Sequence, residues 1–197
     1  MLEFEKELKE KFIVGCDEVG RGACAGPLVA CCIMLPYNYK NEKINDSKKL
    51  TEKRREELET IIKSDAIEYH IEFISPTQVD QINPKQASKL AMKRAVEKFK
   101  HQIELVITDF EKIEINFAQI NLIKGDQKSI NVAAASILAK LERDNYMKKI
   151  SSNYPQYHFE IHKGYSTKMH QKALELYGTC PIHRLSYKNV QKILKSR

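Results

Sequence analysis

Residues 13–29, IVGCDEVGRGACAGPLV, limit the possible folds of this 197-residue chain more than any other stretch. An apolar run leads straight into two adjacent carboxylates, Asp17 and Glu18, and Gly20, Arg21, Gly22 and Gly26 follow. FIVGCDEV (12–19) and LVACCIML (28–35) read as two strands joined by this glycine-rich turn, the second stopped by Pro36. A strand that ends on paired negative charge, beside backbone bare enough for something to touch it, raises the question of what the charge is for.

The rest of the chain alternates strands with helices. The 46–63 segment reads as a helix with Thr51 as a plausible N-cap and a sparse stripe of Leu50, Leu58, Ile61 and Ile62. IEYHIEF (67–73) alternates strictly, with Ile67, Tyr69, Ile71 and Phe73 on one face, and so predicts a half-buried strand. After Ser75-Pro76 and a short helical turn, Pro84 opens a helix over 84–100. IELVITD (103–109) is a buried strand and INLI (120–123) a short one. Residues 129–150 form the strongest helical pattern, and two further helices are expected over 167–178 and 187–196. Early strands joined by a short turn and later strands separated by helices predict an α/β fold, a mixed sheet flanked by helices. Length sets an expectation of one domain over 1–197, softly divided into 1–150 and a basic extension, 151–197.

Charge follows that division. The net charge is +7, yet residues 145–197 hold ten Lys or Arg against two acids, while residues 1–144 hold 23 basic against 24 acidic side chains. The excess positive charge lies in the last quarter, which fits a polyanion partner. The five cysteines (16, 24, 31, 32 and 180) form no CxxC pair and are odd in number, so they read as reduced, buried small hydrophobes in a cytosolic protein. The charged start, MLEFEKELKEKF, lacks a signal-peptide apolar segment, and the longest apolar runs fall far short of a membrane span. A soluble, cytoplasmic protein is expected.

Asp17 and Asp109 each close an apolar strand, at the strand ends where open α/β sheets place their sites, although such acids often only cap turns. On the 129–150 helix, Ala133, Ile137, Lys140 or Leu141, and Asp144 follow one stripe, so Asp144 continues the core-facing side. Its alternative is an exposed helix-end acid paired with Lys140. If Asp17, Glu18, Asp109 and Asp144 converge, their mutual repulsion calls for hard divalent cations such as Mg²⁺ or Mn²⁺. Two such ions can activate a water for attack at phosphorus.

Consecutive blocks carry a resemblance from Ile13 to Tyr187: GCDEVGRG, INDSKKLTEKRREEL, INPKQASKLAMKRAV, KGDQKSINVAAASILAKLERD, YPQYHFEIHKGYSTKMHQKAL and CPIHRLSY. In this order and spacing the chain resembles type 2 ribonuclease H, bacterial ribonuclease HII. The resemblance implies a ribonuclease H-like mixed sheet with helices and a helical C-terminal extension. It implies metal-dependent endonucleolytic cleavage of RNA in RNA–DNA hybrids and at single ribonucleotides in duplex DNA, serving DNA replication and repair. The four acids of the family's two-metal site fall on Asp17, Glu18, Asp109 and Asp144. Its glycine-arginine-glycine motif, which contacts the ribose 2′-hydroxyl and flanking phosphates, falls on Gly20, Arg21 and Gly22. Its junction-sensing tyrosine falls on Tyr165 and its active-site lysine on Lys48. A monomer is expected. Two positions depart from the pattern: Ala23 stands where proline is usual, and Phe110 where glycine usually follows the third acid. Asp144, as an aspartate, favours ribonuclease HII over ribonuclease HIII, where glutamate is common.

Other constellations carry less. His158 and His162 are spaced like a zinc pair but lack further ligands with fitting spacing. His183 and Arg184 suit a structural role in packing the extension. Tyr146, Tyr154, Tyr157 and Tyr165 could stack on bases or sugars, although packing explains most of them. The competing function is a nucleic-acid-binding module that kept the fold without strong catalysis, and the complete acid set speaks against it.

Overall fold

A computed structural model of the chain describes residues 2–45, 47 and 50–195. Strands β1 (Ile13–Val19), β2 (Leu28–Met34), β3 (Glu68–Ile74), β4 (Leu105–Asp109) and β5 (Gln119–Leu122) form a sheet in the order β3-β2-β1-β4-β5. The β1–β2 and β2–β3 pairs are antiparallel, and the β1–β4 and β4–β5 pairs are parallel. The sheet is therefore mixed, with β1 at its centre. Parallel pairing of β1 with β4 needs a crossover connection, which the segment containing helix α2 (Pro76–Val96) supplies.

Helices cover both faces. On one, Val14 and Cys16 of β1 join Val79, Ala87, Ala91 and Met92 of α2. On the other, Cys31 and Ile33 of β2 pack against Leu58 and Ile62 of α1 (Glu52–Asp65) and Ala134, Ile137 and Leu138 of α3 (Ile130–Ser151). Helix α3 lies directly on β1: a Cβ at Gly15 would sit 2.4 Å from the carbonyl carbon of Asn131. Any side chain there would push the helix off the strand.

Local chemistry explains the helix starts. Thr51, Ser75, Ser129 and Thr167 each accept a hydrogen bond from the backbone N–H three residues on. Helix α2 fuses the expected turn after Ser75 with the helix from Pro84 across a kink at Asn83, whose φ is 66°. The Asn83 Oδ1 accepts from the N–H groups of Lys85 and Gln86, both at 3.0 Å, and so starts the helix afresh. A short 3-10 turn at Phe4–Glu7 was not foreseen. It brings the Glu5 carboxylate onto the N–H groups of Ile130 (3.2 Å) and Asn131 (3.1 Å), where the α3 dipole favours an anion.

Beyond α3, helices α4 (Phe159–His162), α5 (Lys168–Tyr177) and α6 (Lys188–Lys195) pack on its C-terminal half and on the loop after β1. Cys24, Ala25 and Met147 share one apolar cluster with Tyr157, Phe159, Leu174, Val190 and Ile193. All five cysteines are free, and four of them are buried. The expected β3 face is only partly buried. Tyr69 and Ile71 pack toward α1 and α3, while Ile67 falls before the strand and Phe73 stays 40% exposed on this sheet-edge strand. Among the described residues no helix is long and apolar enough to cross a membrane.

Candidate active site

Parallel register places Cys16 beside Thr108, so the next residues stand side by side toward the C-terminal ends of the two strands: Asp109 closes β4, whereas β1 runs two residues beyond Asp17, to Val19. Strand alternation then sorts the acids by face. Val14 and Cys16 point to α2, so Asp17 points to α3 and Glu18 back toward α2. Leu105 and Ile107 pack with Val132 of α3, which puts Asp109 on the same side as Asp17.

The electrostatics record this crowding. The Asp17 carboxyl, 7% exposed, is held well above the usual carboxylate range. Burial is the main cause and the charge of Glu18 the next, partly offset by the Ser136 hydroxyl, with Asp109 adding to the rise. Glu18 is pushed up to about 7, chiefly by burial; Arg21 pulls it down while Asp109 and Glu111 push it up. Asp109 accepts the Gly125 N–H at 2.8 Å, which ties the end of β4 to the turn before α3.

Asp144 is buried at 3% exposure, as the helical stripe requires. The Lys140 partner of the competing reading is present as well, with Nζ 2.7 Å from Oδ1, while Arg55 Nη2 stands 3.9 Å from Oδ2. One helical turn separates the two residues, so the flexible Lys140 stem brings its ammonium onto the carboxylate. Among the described residues, no three His, Cys, Asp or Glu side chains are gathered closely enough to grip a metal ion. Even so, the residues fit one. The charges of Glu18 and Asp109 raise the proton affinity of the buried Asp17, that of Asp109 raises Glu18 as well, and the all-oxygen donors of this acid set suit Mg²⁺ or Mn²⁺.

The glycine-rich loop is built from outside. Gly20 has φ 88°, and a Cβ there would lie 2.2 Å from Arg143 Nε, so glycine is required twice over. At Gly22 a Cβ would meet nothing within 4 Å, so packing leaves the space before it open. Arg21 Nη1 stands 3.0 Å from Glu111 Oε1 and 3.8 Å from Glu18 Oε1. Behind the loop, the buried Arg184 donates to the carbonyl oxygens of Gly20 (2.7 Å) and Gly26 (2.8 Å), and the Tyr187 hydroxyl donates to Arg21 O (2.5 Å). The equally buried Arg143 donates to Ala25 O and Pro27 O.

Tyr165 is half-buried, its ring 5.2 Å from the Arg143 guanidinium and 5.9 Å from Lys140 Nζ. Its loop is held by histidines. The Cys180 N–H donates to His183 Nδ1 (2.9 Å), which leaves the His183 proton on Nε2, facing His170 Nε2 at 3.0 Å. The His170 proton then sits on Nδ1, 3.0 Å from Tyr165 O. Burial lowers both rings to about 4, so both stay neutral. His183 and Arg184 thus have the structural role expected of them. His162 is buried and bonded to Tyr157 O, whereas His158 lies before α4 in a left-handed conformation, so the two do not form a helical zinc pair. Tyr157 is core and Tyr146 lies against Phe73. Lys48 lies outside the described residues.

Sequence reasoning missed Ser136, Arg143 and Glu111. Arg143, next to Asp144 on a strong helix, carried a signal: its helical position implies burial for a charge that needs carbonyl partners.

Comparison with known proteins agrees with this geometry. The family model described as Ribonuclease HII matches residues 14–190. A ribonuclease HII from Caldanaerobacter subterraneus is 48% identical over 196 residues, covering 98% of this chain and 80% of that protein. One from Caldicellulosiruptor bescii is 46% identical over 190 residues, covering 94% and 92%. In fold, the chain is similar to a ribonuclease H2 from Pyrococcus horikoshii, with a TM-score of 0.78, 23% identity, and 93% and 97% of the two chains covered. It is similar also to Bst-RNase HIII in complex with Mn²⁺, with a TM-score of 0.73, 17% identity, and 97% and 71% covered. The chain belongs to the ribonuclease HII family, metal-dependent endoribonucleases that cut the RNA strand of RNA–DNA hybrids.

Proposed function

We propose that the chain cuts at RNA–DNA junctions, including single ribonucleotides embedded in duplex DNA, and leaves 3′-hydroxyl and 5′-phosphate ends. The observation that carries this reading is a backbone tie: the N–H groups of Cys24 and Ala25 both donate to Gly164 O, at 3.0 and 3.2 Å. It couples the segment just after Gly20–Gly22 to the residue before Tyr165. The residue set that would contact a ribose and the one that would contact the next sugar therefore form one rigid unit.

Asp17, Glu18, Asp109 and Asp144 are the proposed ligands of two divalent ions, Mg²⁺ or Mn²⁺, and the Mn²⁺ complex of the similarly folded Bst-RNase HIII supports the metal class. When bound, such ions supply an activated water and charge stabilisation for the leaving oxygen. The protein's own residues orient the substrate. The open space before Gly22 lets backbone amides approach a 2′-hydroxyl, the group that distinguishes RNA. Arg21 anchors a flanking phosphate, Tyr165 packs on the sugar beyond the scissile bond, and Lys48 is a further candidate at the site. We read the whole chain as one domain acting as a monomer in the cytoplasm, with roles in replication and repair.

The test is cleavage of a DNA duplex carrying one ribonucleotide, with Mg²⁺ or Mn²⁺ and with chelator, for the wild type and Asp109→Asn. Cutting at the ribonucleotide only with metal, lost by orders of magnitude in Asp109→Asn, is expected. Tight binding without metal-dependent cutting would establish the non-catalytic binding module instead.

A further inference from the structure

Glu111 is 3% exposed, although it lies in a loop and nothing in the motifs marks it. Acids are almost never buried unless paired, so its partners and the backbone that aims it are informative. The Glu111 N–H donates to Asp109 O at 2.8 Å, closing a three-residue turn around Phe110, whose φ is 64°. Turns of this kind with positive central φ are rare and strained, the more so on a bulky residue. The reversal leaves Phe110 60% exposed and sends Glu111 inward. Thr108 Oγ1 (2.8 Å) and Asn121 Nδ2 (3.2 Å) both donate to Glu111 O and pin it there.

Inside, Glu111 Oε1 is buried without a hydrogen bond and lies 3.0 Å from Arg21 Nη1, and Oε2 lies 3.9 Å from Lys85 Nζ. Arg21 is approached on the same nitrogen by Glu18, at 3.8 Å, while its side chain stays 40% exposed. One edge of the guanidinium is therefore held by acids, and among the described residues no further acid engages its other N–H donors.

We propose that Glu111 is a positioning residue that fixes the Arg21 guanidinium at the mouth of the site, so that its free donors meet a nucleic-acid phosphate in one orientation. This rests on the reading of Arg21 as a phosphate anchor. A free arginine samples many rotamers and loses that freedom on binding; one already held by a buried carboxylate does not. The same carboxylate offsets the charge of Arg21 and so weakens its attraction for phosphate. Orientation and affinity are thus set against each other, and removing the charge should separate them.

The experiment compares the wild type, Glu111→Gln, Arg21→Ala and the double variant on the single-ribonucleotide duplex. It measures kcat and KM, duplex affinity over a salt series without cleavage, and the thermal midpoint. Glu111→Gln should lower kcat by on the order of tenfold, through misalignment. Its KM should be unchanged or lower, and its salt dependence steeper by about one released counterion. In the Arg21→Ala background the same substitution should change kcat by less than about twofold, because coupled residues are not additive. The double-variant comparison holds whatever the change in stability, since each pair is read below its own midpoint. An equal kcat loss from Glu111→Gln in both backgrounds, or a higher KM at unchanged kcat, overturns the positioning role. Slow Arg21→Ala with wild-type kinetics for Glu111→Gln overturns it too and leaves the phosphate anchor standing. Wild-type rates for Arg21→Ala would instead overturn the anchor itself.

Discussion

Arg184 donates from Nη1 to the carbonyl oxygen of Gly20 at 2.7 Å, across 164 residues of sequence. It gives two further N–H groups to Gly26 O, at 3.0 and 2.8 Å, and is itself fully buried. The C-terminal extension therefore holds the loop that carries Arg21. Lysine has three donors on a point charge and cannot reproduce the planar fork. Arg184→Lys should cost about 1–3 kcal/mol for each carbonyl left short and should lower cleavage of every substrate. Urea midpoints and initial rates measured together check this; a stable Arg184→Lys variant with full activity would contradict it.

Phe110 occupies the left-handed region that glycine favours, with φ 64°. That conformation costs a residue with a side chain about 1–2 kcal/mol, partly offset because glycine loses more chain entropy on folding. Phe110→Gly should therefore raise stability by up to about 1 kcal/mol, whereas Phe110→Ala keeps its Cβ and should gain nothing. A glycine variant that melts below the alanine variant would refute the strain.

Glu18 links pH to stability with a definite sign. Its folded-state value of about 7, raised by burial, exceeds the ordinary 4.5. The folded state therefore holds a proton that the unfolded state releases, and folding is penalised wherever the group must ionise. The penalty, on the order of 3 kcal/mol, is full above pH 7 and gone below about pH 4.5. Without metal, Glu18→Gln should be more stable than the wild type at pH 8, and the gap should close as pH falls to 4.5. A gap that stays constant from pH 8 to pH 4.5 would argue against the shift.

Removing the basic extension would not isolate its charge. Ile182, His183, Arg184, Val190 and Ile193 are buried, so truncation near residue 180 should unfold the loop behind Arg21. The exposed Lys192 and Lys195 allow a cleaner test. Lys192→Glu with Lys195→Glu should leave the thermal midpoint within a few degrees. It should weaken duplex binding and flatten its salt dependence if these lysines contact phosphates. An unchanged salt slope would place the duplex elsewhere.

Tyr165 distinguishes a junction-sensing enzyme from a general hybrid nuclease. Tyr165→Ala should lose activity on the single-ribonucleotide duplex and suffer less on a long hybrid with Mn²⁺. Its backbone carbonyl, held by His170 and Thr167, survives the substitution, so the fold should hold. An unchanged substrate ratio at native-like stability would remove the sensing role.

The order of elements was legible along the chain because it depends on neighbours: runs of apolar residues, the Thr51 cap three residues from its partner, and a helix start at Pro84. The burial of Asp144 was legible too, since helical periodicity alone sets which face it shares with Ala133 and Ile137. What periodicity does not encode is which distant group meets which. The side-by-side ends of β1 and β4 follow from a sheet order that puts β4 against β1, not from either strand. Glu5 on the start of α3, Arg184 on Gly20 and Gly164 on Cys24 each join segments more than 120 positions apart. Their pairing was decided only when the chain packed, because a buried charge or carbonyl bonds to whatever partner the tertiary fold brings within about 3 Å. Glu111 is the sharpest case: a positive φ at Phe110 sends a loop acid that no sequence motif marks inward to Arg21.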